Sequence, residues 1–410
     1  MSLVLFSGGR GNKNLLRALE CGDPTTSIKF NIIVNGLDDG ASTGMIREFF
    51  DNDSHGISDF LKVTLAISPR RDVIEILESR LPQVNDLSDC LKFSKDLHDF
   101  IFFDIDMAFL SGFAIDADSK SKIKAHFLNF LEYFYTTENS LPNLGDFKLG
   151  NIVFTSMLIN AKLNFDIALE EFIRFCEVDS ERFGIVQSTE TVSFLVGTLK
   201  NGVLLPNEAA VVLTRTSDHI DKTFQIPQPL TASEIRSICS LELENKNQYL
   251  CNLEDIPSVG KGALQCIQKA RAIVFGAGTP YSSLLPSLEL KGMAEAIKES
   301  KVPKILVVNL VKETANMMSG VDLITSVLSS LEKSNSGPFD PRDYITHVIA
   351  PYPLETDDQL PYIIDTQEGD VESQFEWIKV CRADIRSPHD HSQHDGKRLA
   401  ECILSILSDD

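Results

Sequence analysis

The chain has 410 residues, 43% of them hydrophobic and 24% charged, which is the composition of a globular protein with a substantial core. Its formal net charge of −21 opposes broad attraction to nucleic acid or to an anionic membrane surface. We therefore expect neither as a partner, and any anionic ligand must be bound locally by backbone N–H groups and a few cationic side chains.

The sequence also predicts where the protein resides. No stretch reaches the roughly 18 consecutive apolar residues of a membrane span, and the opening residues MSLVLFSGGRG lack the apolar length and basic flank of a secretory signal. The eight cysteines are scattered without a CxxC pair, which favours reduced thiols. We expect a cytoplasmic protein.

The chain opens with two strand–turn–helix units. Residues 2–6 are an apolar run that breaks into glycines before the helical pattern NKNLLRALE. Residues 30–34 are a second apolar run, and NGLDDGASTGMIREFF follows with small and acidic residues before another helical pattern. Repeated units of this kind predict a parallel sheet covered by helices.

Two segments interrupt this rhythm. Residues 72–148 carry apolar residues at helical spacing and predict a helical insertion, while about 190–250 predict a small β excursion around a Lys-Asn-Gly turn. From residue 261 strands and helices alternate again, and no long linker separates the parts. The predicted fold is one α/β domain over 1–410, with a Rossmann-like, doubly wound, mainly parallel sheet.

The first turn, Ser7 to Asn12, reads SGGRGN and joins a predicted strand to a predicted helix. Glycines let the backbone turn sharply and approach a phosphate, whose charge then meets N–H groups at the helix start. The same residues fit a tight turn without a ligand, and Lys13 fits either a phosphate contact or a solvated helix lysine. The turn is not GxGxxG, which argues against an NAD-type dehydrogenase.

The second turn carries adjacent carboxylates, Asp38 and Asp39, followed by Ser42 and Thr43 at a predicted helix start. Carboxylates at the end of a strand can hold a divalent cation or the hydroxyl groups of a ligand. The alternative is an ordinary helix cap, but the position after the second strand favours a functional role.

A third turn, Gly276 to Ser283, follows a buried-looking strand and is a second candidate anion cradle. By contrast, Gly56 to Asp59 and Gly150-Asn151 read as turn or cap residues when taken alone. The histidine-rich segment 389–394 does not have the spacing of a zinc site and predicts a polar surface loop.

Six segments together resemble the CofD-like family, which contains 2-phospho-L-lactate transferases and gluconeogenesis factors. They occur in the family's order over nearly the whole chain. The segments are SGGRGNKNLLRAL, VNGLDDGASTGMIR, HGISDFLK, GNIVFTSML, FGAGTPYSSLLPSL with KGMAEAIKESKVPKILVVNL, and HDGKRLAECIL.

The resemblance covers two branches of the family. One branch transfers a phospholactyl group from a guanosine-linked donor to a deazaflavin with magnesium, and the other binds UDP-sugars and affects carbon metabolism and cell shape. Ser7-Gly8-Gly9 and Val34-Asn35 look like the transferase branch, whereas DDGASTGMIR, GNI and HDGKRL look like the UDP-sugar branch. Two segments depart from the family: Arg10 replaces a usual threonine, and HGISDFLK replaces a proline-glycine-aspartate type of sequence.

The resemblance implies the following site residues and ligands. Asp38, Asp39 and Asp59 are the expected catalytic residues, with Mg²⁺ expected at Asp39. A phosphorylated, nucleotide-linked small molecule is the expected ligand. Its expected binding residues are Gly8, Gly9, Gly11, Ser42, Gly44, Arg47, Asn151, Gly276, Gly278, Thr279, Ser282 and Ser283. The pattern of the first turn adds Asn12 and Lys13 to the expected binding residues.

Two functions follow from the resemblance and stay open at the level of sequence. The first is a transferase of the 2-phospho-L-lactate transferase type, which moves a phosphorus-containing group. The second is a non-catalytic nucleotide-sugar sensor that regulates carbon metabolism and the cell envelope or shape. An aromatic-rich acidic chain is also compatible with a homodimer.

Overall fold

The computed structural model describes residues 2–9, 11–22, 28–37, 41–50, 54–82, 87–103, 113, 116–136, 147–213, 219–310, 318–352 and 371–409. The chain divides into two compact units, the first formed by 1–39 with 180–410 and the second by 40–179. The second unit begins before, and ends after, the helical insertion predicted for 72–148. That the whole chain is one domain stays a prediction.

The strands found in the described residues belong to the first unit. In chain order they are β1 (Ser2–Ser7), β2 (Lys29–Val34), β3 (Phe183–Gln187), β4 (Phe194–Leu199), β5 (Leu204–Leu205), β6 (Ile220–Ile226), β7 (Ala272–Phe275), β8 (Lys304–Val307), β9 (His347–Pro351) and β10 (Lys379–Ala383).

The α-helices found in the described residues occur in both units. In chain order they are α1 (Lys13–Cys21), α2 (Ala41–Phe49), α3 (Ser58–Ala66), α4 (Arg71–Glu78), α5 (Leu87–Phe103), α6 (Ala117–Thr136), α7 (Leu149–Asn160), α8 (Phe165–Phe175), α9 (Glu208–Leu213), α10 (Ala232–Cys239), α11 (Leu243–Leu253), α12 (Lys261–Gln268), α13 (Leu285–Leu288), α14 (Met293–Glu299), α15 (Gly320–Ser334), α16 (Val371–Gln374) and α17 (Gly396–Asp409).

The main sheet of the first unit is parallel and has the strand order β10-β9-β8-β7-β1-β2-β3 in the described residues. From β1 the chain first builds outward through β2 and β3, and it then returns to the other side of β1 with β7. The strand order therefore reverses between β1 and β7. In doubly wound folds ligands bind at this reversal, in the crevice outside the carboxyl ends of the strands.

The central strands are buried on both faces, which explains their continuous apolar sequences. In β1, Val4 and Phe6 belong to one core cluster with apolar residues of α12, α14 and α15. Strand alternation directs Leu3 and Leu5, which are also buried, to the opposite face. This arrangement confirms the predicted doubly wound, mainly parallel α/β fold.

The β excursion of the first unit is a separate antiparallel sheet with the order β5-β4-β6. Gly202 has φ of +87° in the turn between β4 and β5, a left-handed conformation that favours glycine. Apolar residues of this sheet and of α10 and α11 share a small core of their own. The predicted β excursion is confirmed.

The second unit is helical in its described residues. Its central helix is α7, in which every residue from Leu149 to Leu158 is buried. A helix that is apolar on all sides must be surrounded, and α7 packs against α3, α4, α6 and α8. The helical insertion is confirmed. Across the described ranges, no helix is both long and apolar enough to span a bilayer.

Candidate ligand-binding site

The glycine turn after β1 lies where the sequence predicts it, between Ser7 and the start of α1 at Lys13. Gly9 has φ of +63°, so this turn uses a left-handed position that side chains disfavour. Asn12 is buried and its Nδ2 donates to Ser7 Oγ at 3.1 Å. The Asn12 side chain makes no capping hydrogen bond to α1.

The glycine turn after β7 packs directly against the turn after β1. A Cβ on Gly11 would lie 2.6 Å from the carbonyl carbon of Ala277 and 2.7 Å from Cα of Gly278. A Cβ on Gly276 would lie 2.7 Å from the Phe6 carbonyl oxygen. The two turns are therefore in direct backbone contact at the point where the strand order reverses. Side chains at Gly11 and Gly276 would separate the two turns.

Two asparagines that sequence reasoning left unassigned hold these turns. Asn309, just after β8, accepts from Gly278 N at 3.2 Å and donates from Nδ2 to Gly278 O at 2.8 Å. Asn35, just after β2, donates from Nδ2 to Ser282 O at 2.6 Å. The signal that could have found them is an asparagine immediately following a buried strand, as in KILVVN and KFNIIVN.

The two turns keep an accessible rim. Gly9, Gly278 and Thr279 are half-buried and Gly11 is exposed, whereas Gly8, Gly276 and Ser282 are buried. In the turn after β7, Ser283 N donates to Thr279 O at 2.9 Å, and Pro280–Leu284 form a short π-helical segment. The structure thus brings together the predicted residues of the two glycine turns at one edge of the sheet.

The C-terminal segment around His394 and Gly396 contacts the same edge of the sheet. His394 is buried, and its Nε2 lies 3.1 Å from the carbonyl oxygen of Val308, directly after β8. Asn14 in the first turn of α1 donates from Nδ2 to His394 O at 3.0 Å. A Cβ on Gly396 would overlap the carbonyl group of Asn14, so α17 can approach α1 only with a glycine there.

Burial lowers the pKa of His394 to about 4, although its contact with the Val308 carbonyl favours the protonated form. The imidazole is therefore neutral at physiological pH. The polar surface loop predicted for this region is correct for the exposed His389 and His391, but it is wrong for His394. The sequence could not reveal that the segment folds back onto α1.

The described predicted residues of the second unit lie in α2, α3 and α7. Arg47 in α2 is fully buried, and Gly44 in the same helix is half-buried. Thr43 Oγ1 hydrogen-bonds with Ser58 Oγ, which joins the starts of α2 and α3. Asp59 in α3 is only 4% exposed and accepts from Lys62 Nζ at 2.8 Å.

Asn151 has a local structural role. Its Oδ1 accepts from the backbone N of Lys148 at 3.0 Å and forms part of the cap of α7. Its own carbonyl oxygen accepts from Thr155 Oγ1 at 2.6 Å. The side chain of Ser42 lies outside the described residues, although its backbone is part of α2.

The described residues do not assemble a carboxylate set for Mg²⁺. Asp38 and Asp39 lie outside the described residues. Asp59 is described, but its carboxylate already contacts the Lys62 ammonium. Within the described ranges, no three His, Cys, Asp or Glu side chains converge as a metal site would require. The predicted metal site at Asp39 stays a prediction.

Comparisons with known proteins identify a family and relatives for the chain. The model of the family described as 2-phospho-L-lactate transferase CofD matches residues 3–386. A gluconeogenesis factor from Listeria monocytogenes is 22% identical over 408 residues, which is 99% of this chain and 95% of the relative. A gluconeogenesis factor from Halalkalibacterium halodurans is 22% identical over 313 residues, covering 76% of this chain and 67% of the relative.

A solved structure also matches the fold. The crystal structure of a UPF0052 family member from Bacillus halodurans superposes with a TM-score of 0.63 at 18% sequence identity, and the match covers 98% of each chain. At this identity the likeness concerns the fold alone. The arrangement of strands and helices is therefore shared with a solved protein.

Proposed function

The chain belongs to the CofD family, and from this premise we propose that its two glycine turns bind a phosphorylated, nucleotide-linked small molecule. The observation that carries the proposal is the packing of the turns after β1 and β7 at the reversal of the strand order. Phosphate-bearing ligands of doubly wound folds bind in this crevice because glycine turns let their oxygens reach backbone N–H groups.

The local chemistry supports an anionic ligand with hydrogen-bond donors. The first turn of α1 presents N–H groups that the Asn12 side chain does not cap, and the helix dipole favours negative charge there. Asn12 Oδ1 is buried without a hydrogen-bond partner among the described residues. A ligand hydroxyl or N–H would satisfy that oxygen, since buried polar atoms are otherwise almost always paired.

The finer proposal is that the protein transfers a phosphorus-containing group. The family description, 2-phospho-L-lactate transferase, supports it. Asp38 and Asp39 would hold Mg²⁺, with Asp39 as the metal ligand, and Asp59 would orient an acceptor hydroxyl. Bound Mg²⁺ would supply charge stabilisation at phosphate oxygens, as it does in other transfers of this type.

The alternative proposal is a sensor that binds a nucleotide-sugar without turnover. The relatives' name, gluconeogenesis factor, supports it. A sensor would act in the cytoplasm through a partner or through its own association, so we include a ligand-dependent homodimer in this proposal.

Calorimetric titration tests the binding proposal, with UDP, UDP-N-acetylglucosamine, GDP, GTP and a deazaflavin precursor, each with and without Mg²⁺. The variant Gly278→Ala places a methyl group on the accessible rim, where its Cβ would lie 3.2 Å from Gly8 O and cost about 1 kcal/mol of stability. Gly337→Ala is the matched control, because no heavy atom lies within 4 Å of its added Cβ. Weaker nucleotide binding by Gly278→Ala alone supports the proposal, and equal binding by both variants refutes it.

Turnover separates the two finer proposals. A transferase requires Mg²⁺ and releases a product that mass spectrometry detects, and Asp39→Asn should abolish that product without unfolding the protein. A fully active Asp39→Asn enzyme would reject the role of Asp39. A sensor binds UDP-sugars without product and changes its mass in light scattering when ligand is added.

A further inference from the structure

Arg386 is a buried cation whose hydrogen bonds are incomplete. The residue is 7% exposed. Its Nε and Nη1 are enclosed and find no hydrogen-bond partner in the part of the chain that the structure describes. Burial lowers its pKa, and the neighbouring Asp384 opposes that shift only partly. An unpaired buried guanidinium is among the most unfavourable arrangements in a protein interior.

Other arginines of the chain show what satisfied partners look like. Arg70 donates to the carboxylates of Asp72, Asp116 and Glu177, each with a closest N–O distance of 2.7 Å. Arg182 donates to the backbone carbonyls of residues 19, 20 and 22. Beside Arg386, the carboxylate of Asp384 pairs instead with Arg398. Arg386 therefore lacks the kind of acceptor that the other two have.

The place of Arg386 in the fold is fixed by its neighbours. It follows β10 by three residues, so it lies at the carboxyl edge of the parallel sheet. Its backbone forms an antiparallel bridge with His394. His394 in turn contacts Val308 after β8 and Asn14 in the first turn of α1. Arg386 is thus linked through His394 to β8 and α1, the two elements that border the glycine turns.

We infer that Arg386 binds an anionic group of the ligand, a phosphate or a carboxylate, at a subsite separate from the glycine turns. This inference rests on the proposed function. An anion supplies the acceptors that the guanidinium lacks, and a local cation is needed because the chain as a whole carries a net charge of −21.

The test uses Arg386→Met, which removes the charge but keeps an apolar side chain. Melting temperatures are measured without ligand and during separate titrations with inorganic phosphate and acetate. Arg342→Met is the control, because Arg342 is an exposed arginine already paired with Asp340. Gly278→Ala is titrated in parallel, since phosphate can also bind at the glycine turns.

We expect Arg386→Met to melt at or above the wild-type temperature without ligand, because an unpaired buried charge is lost. Its stabilisation by phosphate or acetate should require at least about tenfold more anion, while the control responds like wild type. The more effective of the two anions identifies the ligand group as phosphate or carboxylate.

Three results would overturn the inference: a ligand-free melting temperature several degrees below wild type, an unchanged anion response, or a wild-type protein that responds to neither anion. Failure of the proposed function looks different. In that case nucleotides do not bind, or Gly278→Ala binds them normally, whatever the anion response of Arg386→Met.

Discussion

The two groups of predicted site residues are held in place in different ways. In the first unit, Gly11 and Gly276 are fixed by close approach of backbone to backbone, and their lack of a side chain is a steric requirement. In the second unit, Asp59 and Asn151 are polar side chains engaged in an ion pair and a helix cap. Steric requirements can be read from sequence, whereas a polar residue at a helix start has a local explanation that competes with ligand binding.

The largest expected effect comes from Gly11→Ala. The added Cβ would lie 2.6 Å and 2.7 Å from the backbone of the turn after β7, and backbone cannot yield as a flexible side chain can. We expect a loss of about 3 kcal/mol in the free energy of unfolding, measured by urea denaturation. Nucleotide binding should be lost as well, because the two turns are forced apart.

Gly337→Ala and Gly262→Ala are the controls for this substitution. The first adds a methyl group in open space, and the second adds one in α12 with its nearest neighbour at 3.7 Å. Gly262→Ala should raise stability by up to about 1 kcal/mol, because alanine favours a helix. If Gly11→Ala unfolds at the same urea concentration as Gly337→Ala, the backbone packing is not what requires glycine.

The next effect is a pH dependence centred on His394, which lies beside the glycine turns. Its pKa is about 4 in the folded protein against 6.5 for the free side chain. At pH 5 the unfolded chain therefore binds a proton that the folded protein excludes. The contribution of His394 to the free energy of unfolding should fall as pH decreases from 6.5 through 4, by about 2 kcal/mol between pH 7 and pH 5.

Urea denaturation at several pH values measures this slope. His394→Gln removes one titrating group and should reduce the slope. Burial also lowers the pKa of His126 in the second unit to about 4, so the His394→Gln variant keeps a contribution that only His126→Gln removes. An unchanged slope in His394→Gln would mean that the imidazole is not held neutral as the structure indicates.

The fold was readable from sequence because its central strands are continuous apolar runs bounded by glycine turns, as in β1 and β7. The sequence predicted a doubly wound parallel sheet, but the order of its strands became visible only in the structure. The contact partners of Asn309 and His394 were not readable, since each contact joins residues distant in sequence. Local pattern shows where a turn lies but not what folds back onto it.

Substitutions at Asn151 have a smaller expected effect on stability. They distinguish a residue that only caps α7 from one that contacts the ligand. Asn151→Ala removes the oxygen that accepts from Lys148 N and should cost about 1 kcal/mol. Asn151→Asp keeps that acceptor and should retain wild-type stability, but it lacks the amide donor. If Asn151→Asp binds nucleotide as well as wild type does, the amide donor takes no part in binding and the cap explains the residue. Weaker binding at unchanged stability would assign Asn151 to the ligand as predicted.

The smallest expected stability effect concerns the pair Asp59 and Lys62. The Lys62 side chain is 32% exposed, so solvent screens the pair, and a double-mutant cycle with Asp59→Asn and Lys62→Gln should give a coupling of about 0.5 kcal/mol. Turnover measurements distinguish a structural role of Asp59 from a catalytic role, which stability measurements cannot do. A structural Asp59 predicts equal activity in both single variants, and the catalytic Asp59 proposed above predicts loss of product in Asp59→Asn alone. Activity in Asp59→Asn would remove the one described carboxylate from the proposed catalytic set and would leave Asp38 and Asp39 as the proposed catalytic residues.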